Sequence, residues 1–118
     1  FQVLIEAQQA AFDAIKVGEP ICTIDQAARR VIEKAGYGPY FNHRVGHGIG
    51  LSIHEAPSVD GKNQNLILPG MYHSVEPGIY IPGEFGMRIE DDAYATEHGP
   101  LILSEGMRRD LDYMVLPF

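Results

Sequence analysis

His43-Arg44-Val45-Gly46-His47-Gly48-Ile49-Gly50-Leu51-Ser52-Ile53-His54-Glu55 packs three histidines and three glycines into thirteen residues. His43 and His47 stand four apart, the spacing that sets two side chains on one face of a helix. Gly46, Gly48 and Gly50 argue against a helix here, because glycine gives up more backbone freedom on becoming helical than any other residue. The stretch is therefore read as irregular, closely packed backbone. Its glycines would let the main chain approach a ligand, a metal or a second strand where a side chain would collide. Polar loop histidines beside a glycine-rich bend fit the same letters.

Upstream the texture is helical. From Phe1 to Lys16 the apolar residues Leu4, Ala7, Ala11, Phe12 and Ile15 recur at three- and four-residue steps, and Gly18 and Pro20 end the run. Thr23-Ile24-Asp25-Gln26 fits a capping box opening a second helix. That helix is expected to reach Ala35, with a buried stripe of Ile24, Ala27 or Ala28, Val31, Ile32 and Ala35, and with Gly36 as its left-handed cap. Downstream the texture changes to turns and short strands. Met71 to Pro77 and Met87 to Thr96 alternate with period two, Leu101 to Leu103 reads as a further strand, and Ser58 to Asn65 reads as an exposed loop. Two helices followed by strands imply an α+β fold, helices on one face of a mainly antiparallel sheet.

Two further clusters carry chemistry. In Ser74-Val75-Glu76-Pro77-Gly78-Ile79-Tyr80, alternation places Tyr72, Ser74 and Glu76 on one face and His73 and Val75 on the other. Glu76 ends its strand, where a head group is held rigidly at the rim of a cleft; a solvated strand-end glutamate reads identically. In Gly86-Met87-Arg88-Ile89-Glu90-Asp91-Asp92, three consecutive acids repel unless a cation compensates, and Arg88 beside Glu90 or a metal ion would serve. Imidazole and carboxylate donors without thiolate favour Mn, Co, Zn or Fe. Cys22 is too isolated to join them.

The whole composition narrows the classes. A chain of 118 residues is one domain at most, or part of one. A single cysteine forms no internal bridge and suits a reducing, cytoplasmic setting. A net charge of −7 with no basic run excludes a nucleic-acid or anionic-membrane surface, and no apolar stretch approaches the roughly 20 residues of a membrane span.

The blocks Gly46-His47-Gly48-Ile49-Gly50-Leu51, His54-Glu55-Ala56-Pro57, Leu68-Pro69-Gly70-Met71, Val75-Glu76-Pro77-Gly78-Ile79-Tyr80 and Gly86-Met87-Arg88-Ile89-Glu90-Asp91 resemble, in order and separation, the C-terminal half of the catalytic domain of pita-bread metallopeptidases. The likeness is nearest to the Xaa-Pro dipeptidase (prolidase) and Xaa-Pro aminopeptidase branch, with methionine aminopeptidase more distant. It implies the creatinase/aminopeptidase fold over residues 1–118, a pair of divalent metal ions (Mn, Co or Zn), and hydrolysis of an amino-terminal bond ahead of proline. It also implies a peptide substrate with proline second, and the reading adds a homodimer. By motif, His47, Glu76 and Glu90 correspond to metal ligands, with Glu76 also assisting proton transfer. His43 and His54 correspond to outer histidines that handle substrate and protons, and Arg88 to the arginine near the bridging carboxylate.

The family's two aspartate ligands have no counterpart here. Two dications bring four positive charges against two carboxylates, so the chain is expected to be a truncated part of a larger enzyme, binding metal weakly or not at all and inactive alone. Creatinase-like and lyase members of the fold, non-catalytic binding domains of it, and a small mononuclear metal protein using His47, Glu76 and Glu90 stay open as alternatives.

Overall fold

The computed structural model describes residues 1–106 and 110–115. Helix α1 spans Gln2–Asp13 and buries Leu4, Ala7, Gln8, Ala11 and Phe12; Ile15 is buried just beyond its end. Helix α2 spans Cys22–Lys34 and buries Ile24, Asp25, Ala28 and Ile32. That stripe is narrower than the sequence implied: Ala35 is exposed and Val31 only half-buried. The two helices pack on each other and share one core with Val45, Val59, Ile67, Val75, Ala93 and Ala95.

The ends of α2 show which local signals decide. Gly36 takes a φ of 88°, and the amides of Gly36 and Tyr37 reach back to the carbonyls of Glu33 and Ile32, the paired closure of a Schellman cap. The expected capping box does not form. α2 starts one residue before Thr23, whose hydroxyl donates to the Pro20 carbonyl at 2.8 Å, while Gln26 donates to the carbonyl of Gly61. Pro20 offers Thr23 an acceptor three residues back, and a hydroxyl already inside the first turn has no orphan amide to cap.

Among the described residues seven strands follow: β1 Gly46–Gly48, β2 Glu55–Val59, β3 Tyr72–Val75, β4 Gly78–Ile81, β5 Phe85–Arg88, β6 Asp91–Thr96 and β7 Gly99–Ile102. Five form an antiparallel sheet in the order β2-β1-β3-β6-β7, and β4 with β5 makes a separate hairpin. A four-residue helix α3, Leu111–Met114, comes last. The single strand expected from Met87 to Thr96 is two strands, parted at Ile89 and Glu90 and belonging to different sheets. The Ser58 to Asn65 stretch is also tied down more than expected: Ser58 and Val59 lie in β2, and the carbonyls of Asn63 and Asn65 accept the amides of Cys22 and Ile21.

Register assigns the faces. His73 pairs with Ala93 and Ala93 with Ile102, a largely buried row, whereas Tyr72, Tyr94 and Leu101 form the alternate row, in which Tyr94 and Leu101 are exposed. Among the described residues no helix is long and apolar enough to cross a membrane.

Candidate active site

The glycine-rich stretch becomes the short strand β1, wedged between two others. A Cβ on Gly46 would lie 2.0 Å from the carbonyl oxygen of Ser74, and one on Gly48 2.1 Å from that of Ala56. The glycines thus serve close approach of a second strand, one of the uses the sequence allowed, and they bring His47 against the end of β3.

Glu76 follows β3 directly and is buried; its amide donates to the carbonyl of Val45 at 2.7 Å. One carboxylate oxygen, Oε1, accepts the Ser74 hydroxyl at 2.8 Å and lies 3.0 Å from His47 Nε2. The other, Oε2, lies 3.0 Å from Arg88 Nη1. Ser74 also accepts the amide of His47, so one hydroxyl ties the two strands. Ser74 shares a face with Glu76, as strand alternation predicts, and that is what lets its hydroxyl reach the carboxylate.

The ring of His47 places Nδ1 3.0 Å from the Gly48 carbonyl. A carbonyl only accepts, so Nδ1 carries the hydrogen and a neutral ring offers its Nε2 lone pair to Glu76. Two acceptors then face each other at 3.0 Å, an arrangement relieved by a proton or a cation between them. Fixing Nδ1 on a carbonyl is also how metal-binding histidines are oriented. The donors fit a divalent ion in kind: imidazole nitrogen and carboxylate oxygen, no thiolate.

The remaining site residues lie around this pair. The His54 ring stands 4.5 Å from that of His47, on an exposed loop. His43 packs edge-on against Phe41 and Tyr80. Its Nδ1 lies 2.7 Å from the Arg44 carbonyl, its Nε2 is buried with no hydrogen-bond partner among the described residues, and burial pushes its pKa below the usual histidine value. A neutral His43 so anchored presents Nε2 as an acceptor.

Arg88, at the end of β5, gives its ion pair to Glu76 rather than to Glu90, contrary to the compensation read from sequence. The break between β5 and β6 redistributes the acids: Asp92 accepts the Tyr72 hydroxyl and Asp91 that of Ser104. Glu90 stays within electrostatic reach of Glu76, and burial first, then the charge of Glu76, raises its pKa. It lines a cleft of about 720 Å³ with Arg88, Asp92, Ile5 and Leu103. The structure thus joins His47, Glu76 and Arg88, with His54 and Glu90 near. Among the described residues no three His, Cys, Asp or Glu side chains are grouped to hold an ion unaided.

The profile of Metallopeptidase family M24 matches residues 1–97. The Bacillus subtilis (strain 168) protein YkvY is 47% identical over 105 residues, 89% of this chain and 29% of that protein. The crystal structure of dipeptidase PepE from Mycobacterium ulcerans is similar at 48% identity and TM-score 0.84, over 86% of this chain and 27% of that one. Prolidase from Pyrococcus furiosus is similar at 42% identity and TM-score 0.87, over 92% of this chain and 32% of that one. The chain therefore spans less than a third of each, and its helices over a mostly antiparallel sheet are the pita-bread arrangement expected from the sequence.

Proposed function

Because the chain belongs to metallopeptidase family M24, we propose that the full-length protein hydrolyses the peptide bond between an amino-terminal residue and a following proline. His47, Glu76 and Glu90 would hold part of a pair of divalent ions, Mn²⁺, Co²⁺ or Zn²⁺. The observation that carries this reading is His47 Nε2 standing 3.0 Å from Glu76 Oε1. The prolidase similarity supports the preference for proline. When bound, the ions supply Lewis acidity and a nucleophile at neutral pH.

The chain's own groups do the rest. Glu76, held by Ser74 and Arg88 at opposite oxygens, is oriented to carry a proton toward the leaving nitrogen. His54, beside His47 and open to solvent, donates to the carbonyl oxygen of the scissile bond. His43 handles substrate only once its Nε2, buried in this structure, is uncovered, and then as an acceptor, because its Nδ1 hydrogen is committed to Arg44. Two carboxylates leave four metal charges half balanced, so further acidic ligands belong outside these 118 residues, and the isolated chain is inactive. The homodimer expected from the sequence is kept as part of this proposal.

The test is an assay of the full-length protein with Mn²⁺ or Co²⁺, against Xaa-Pro dipeptides, longer Xaa-Pro peptides and creatine. Turnover of the proline substrates that disappears on chelation and in His47→Ala or Glu90→Ala is expected. Near-normal turnover by either variant, or turnover of creatine alone, overturns the proposal.

A further inference from the structure

The chemistry above leaves one ion pair on α2 without a task, its carboxylate buried and its guanidinium partly exposed. Asp25 and Arg29 stand one turn apart on α2, and Asp25 is fully buried. Arg29 meets it with two nitrogens, Nε to Oδ1 at 2.8 Å and Nη2 to Oδ2 at 3.1 Å, the fork geometry that makes arginine suited to a buried carboxylate. The guanidinium then reaches further. Nη1 donates to the carbonyl of Phe41 at 2.8 Å and Nη2 to that of His43 at 2.9 Å, while its face covers the Phe41 ring at 4.1 Å. From the other side Asp25 Oδ2 accepts the amide of Val45 at 2.9 Å. Three alternate residues, Phe41, His43 and Val45, each have a main-chain group tied to the pair.

Val45 hands this restraint on. Its amide is held by Asp25 and its carbonyl accepts the amide of Glu76 at 2.7 Å, so one peptide segment links α2 to the carboxylate. Two residues later the amide of His47 is held by Ser74, which also holds Glu76. We infer that Asp25 and Arg29 are positioning residues for this site, fixing the path of Phe41 to Val45 and through it the heads of His43, His47 and Glu76. Burying the carboxylate costs desolvation that offsets the pair's attraction; here Nη1, Nη2 and Oδ2 also bond the backbone that carries the site. The inference rests on the reading of the site proposed above.

The experiment uses the full-length protein, loaded with Mn²⁺ for the kinetics and with diamagnetic Zn²⁺ for the ring signals, comparing wild type with Arg29→Lys and Asp25→Asn. Lysine keeps a cation beside Asp25, but a single ammonium cannot span both carbonyls and the carboxylate as the fork does. Measured are kcat and KM on a Xaa-Pro dipeptide, Tm, and the imidazole nitrogen signals. Arg29→Lys is expected to fold, to lose about ten- to a hundredfold in kcat with little change in KM, and to shift the ring signals of His43 and His47 but not of His98 in the β6–β7 turn. A lowered Tm with kcat and ring signals at wild-type values overturns the inference.

If Arg29→Lys does not fold, Asp25→Asn is read by the same criteria. In wild type, slow exchange of the Arg29 Nε hydrogen and the Val45 amide supports the brace, and exchange as fast as in an unstructured peptide overturns it. Absence of Xaa-Pro hydrolysis in the wild type defeats the proposed function alone, since the ring signals still decide the brace.

Discussion

His73 is wholly buried in the middle strand of the sheet, with Nδ1 2.9 Å from the Ser74 carbonyl and Nε2 without a hydrogen-bond partner among the described residues. Burial pushes its pKa below the usual histidine value of 6.5, outweighing the opposing pull of the Ser74 carbonyl and Asp92. The unfolded chain therefore takes up a proton near pH 6.5, where the folded chain still refuses it. Stability is fully present above that pH and declines as pH falls through it toward the depressed folded value, with a slope of at most about 1.4 kcal/mol per pH unit for one proton. In urea unfolding from pH 8 to 5, His73→Leu is expected to remove this part of the slope. A variant whose stability falls as steeply as wild type would contradict it. The alternation of β3 set His73 opposite Glu76 in the sequence, but whether its ring would find a hydrogen-bond partner depended on strands far along the chain.

At the scale of the element, β1 exists because two glycines admit neighbouring backbone. The obstructing atoms are carbonyl oxygens of Ser74 and Ala56, which no rotamer change can move aside. Gly48→Ala is expected to lower the unfolding free energy by about 3 kcal/mol, read as a reduced urea midpoint; a wild-type midpoint would contradict the packing described. Both helices and the Gly36 cap were legible, because apolar periodicity and a left-handed glycine are local signals. The start of α2 was not, since Thr23 had two possible partners and only the folded chain shows that Pro20 takes it. The break in Met87 to Thr96 was also hidden: period two runs through Ile89 and Glu90 unchanged, while β5 pairs with β4 and β6 with β3.

At the scale of the whole molecule, the site is assembled by contacts between distant residues, His47 with Glu76 and Glu76 with Arg88. The sequence marked all three residues by their unusual neighbours, and the family resemblance gave them roles. It did not reveal that Arg88 would serve Glu76 instead of Glu90, because that choice follows from the hairpin folding back on β3's end. Nor did it reveal Asp25 and Arg29, because acid and base four apart on a helix are common and carry no sign of the backbone they hold. His47, Glu76 and Glu90 are proposed as ligands for a pair of divalent ions. Calorimetric titration of Mn²⁺ into the full-length protein tests it most directly. Two ions per chain for wild type, with at least one tight site lost in His47→Ala, is the predicted result; unchanged stoichiometry and affinity in that variant would contradict the account.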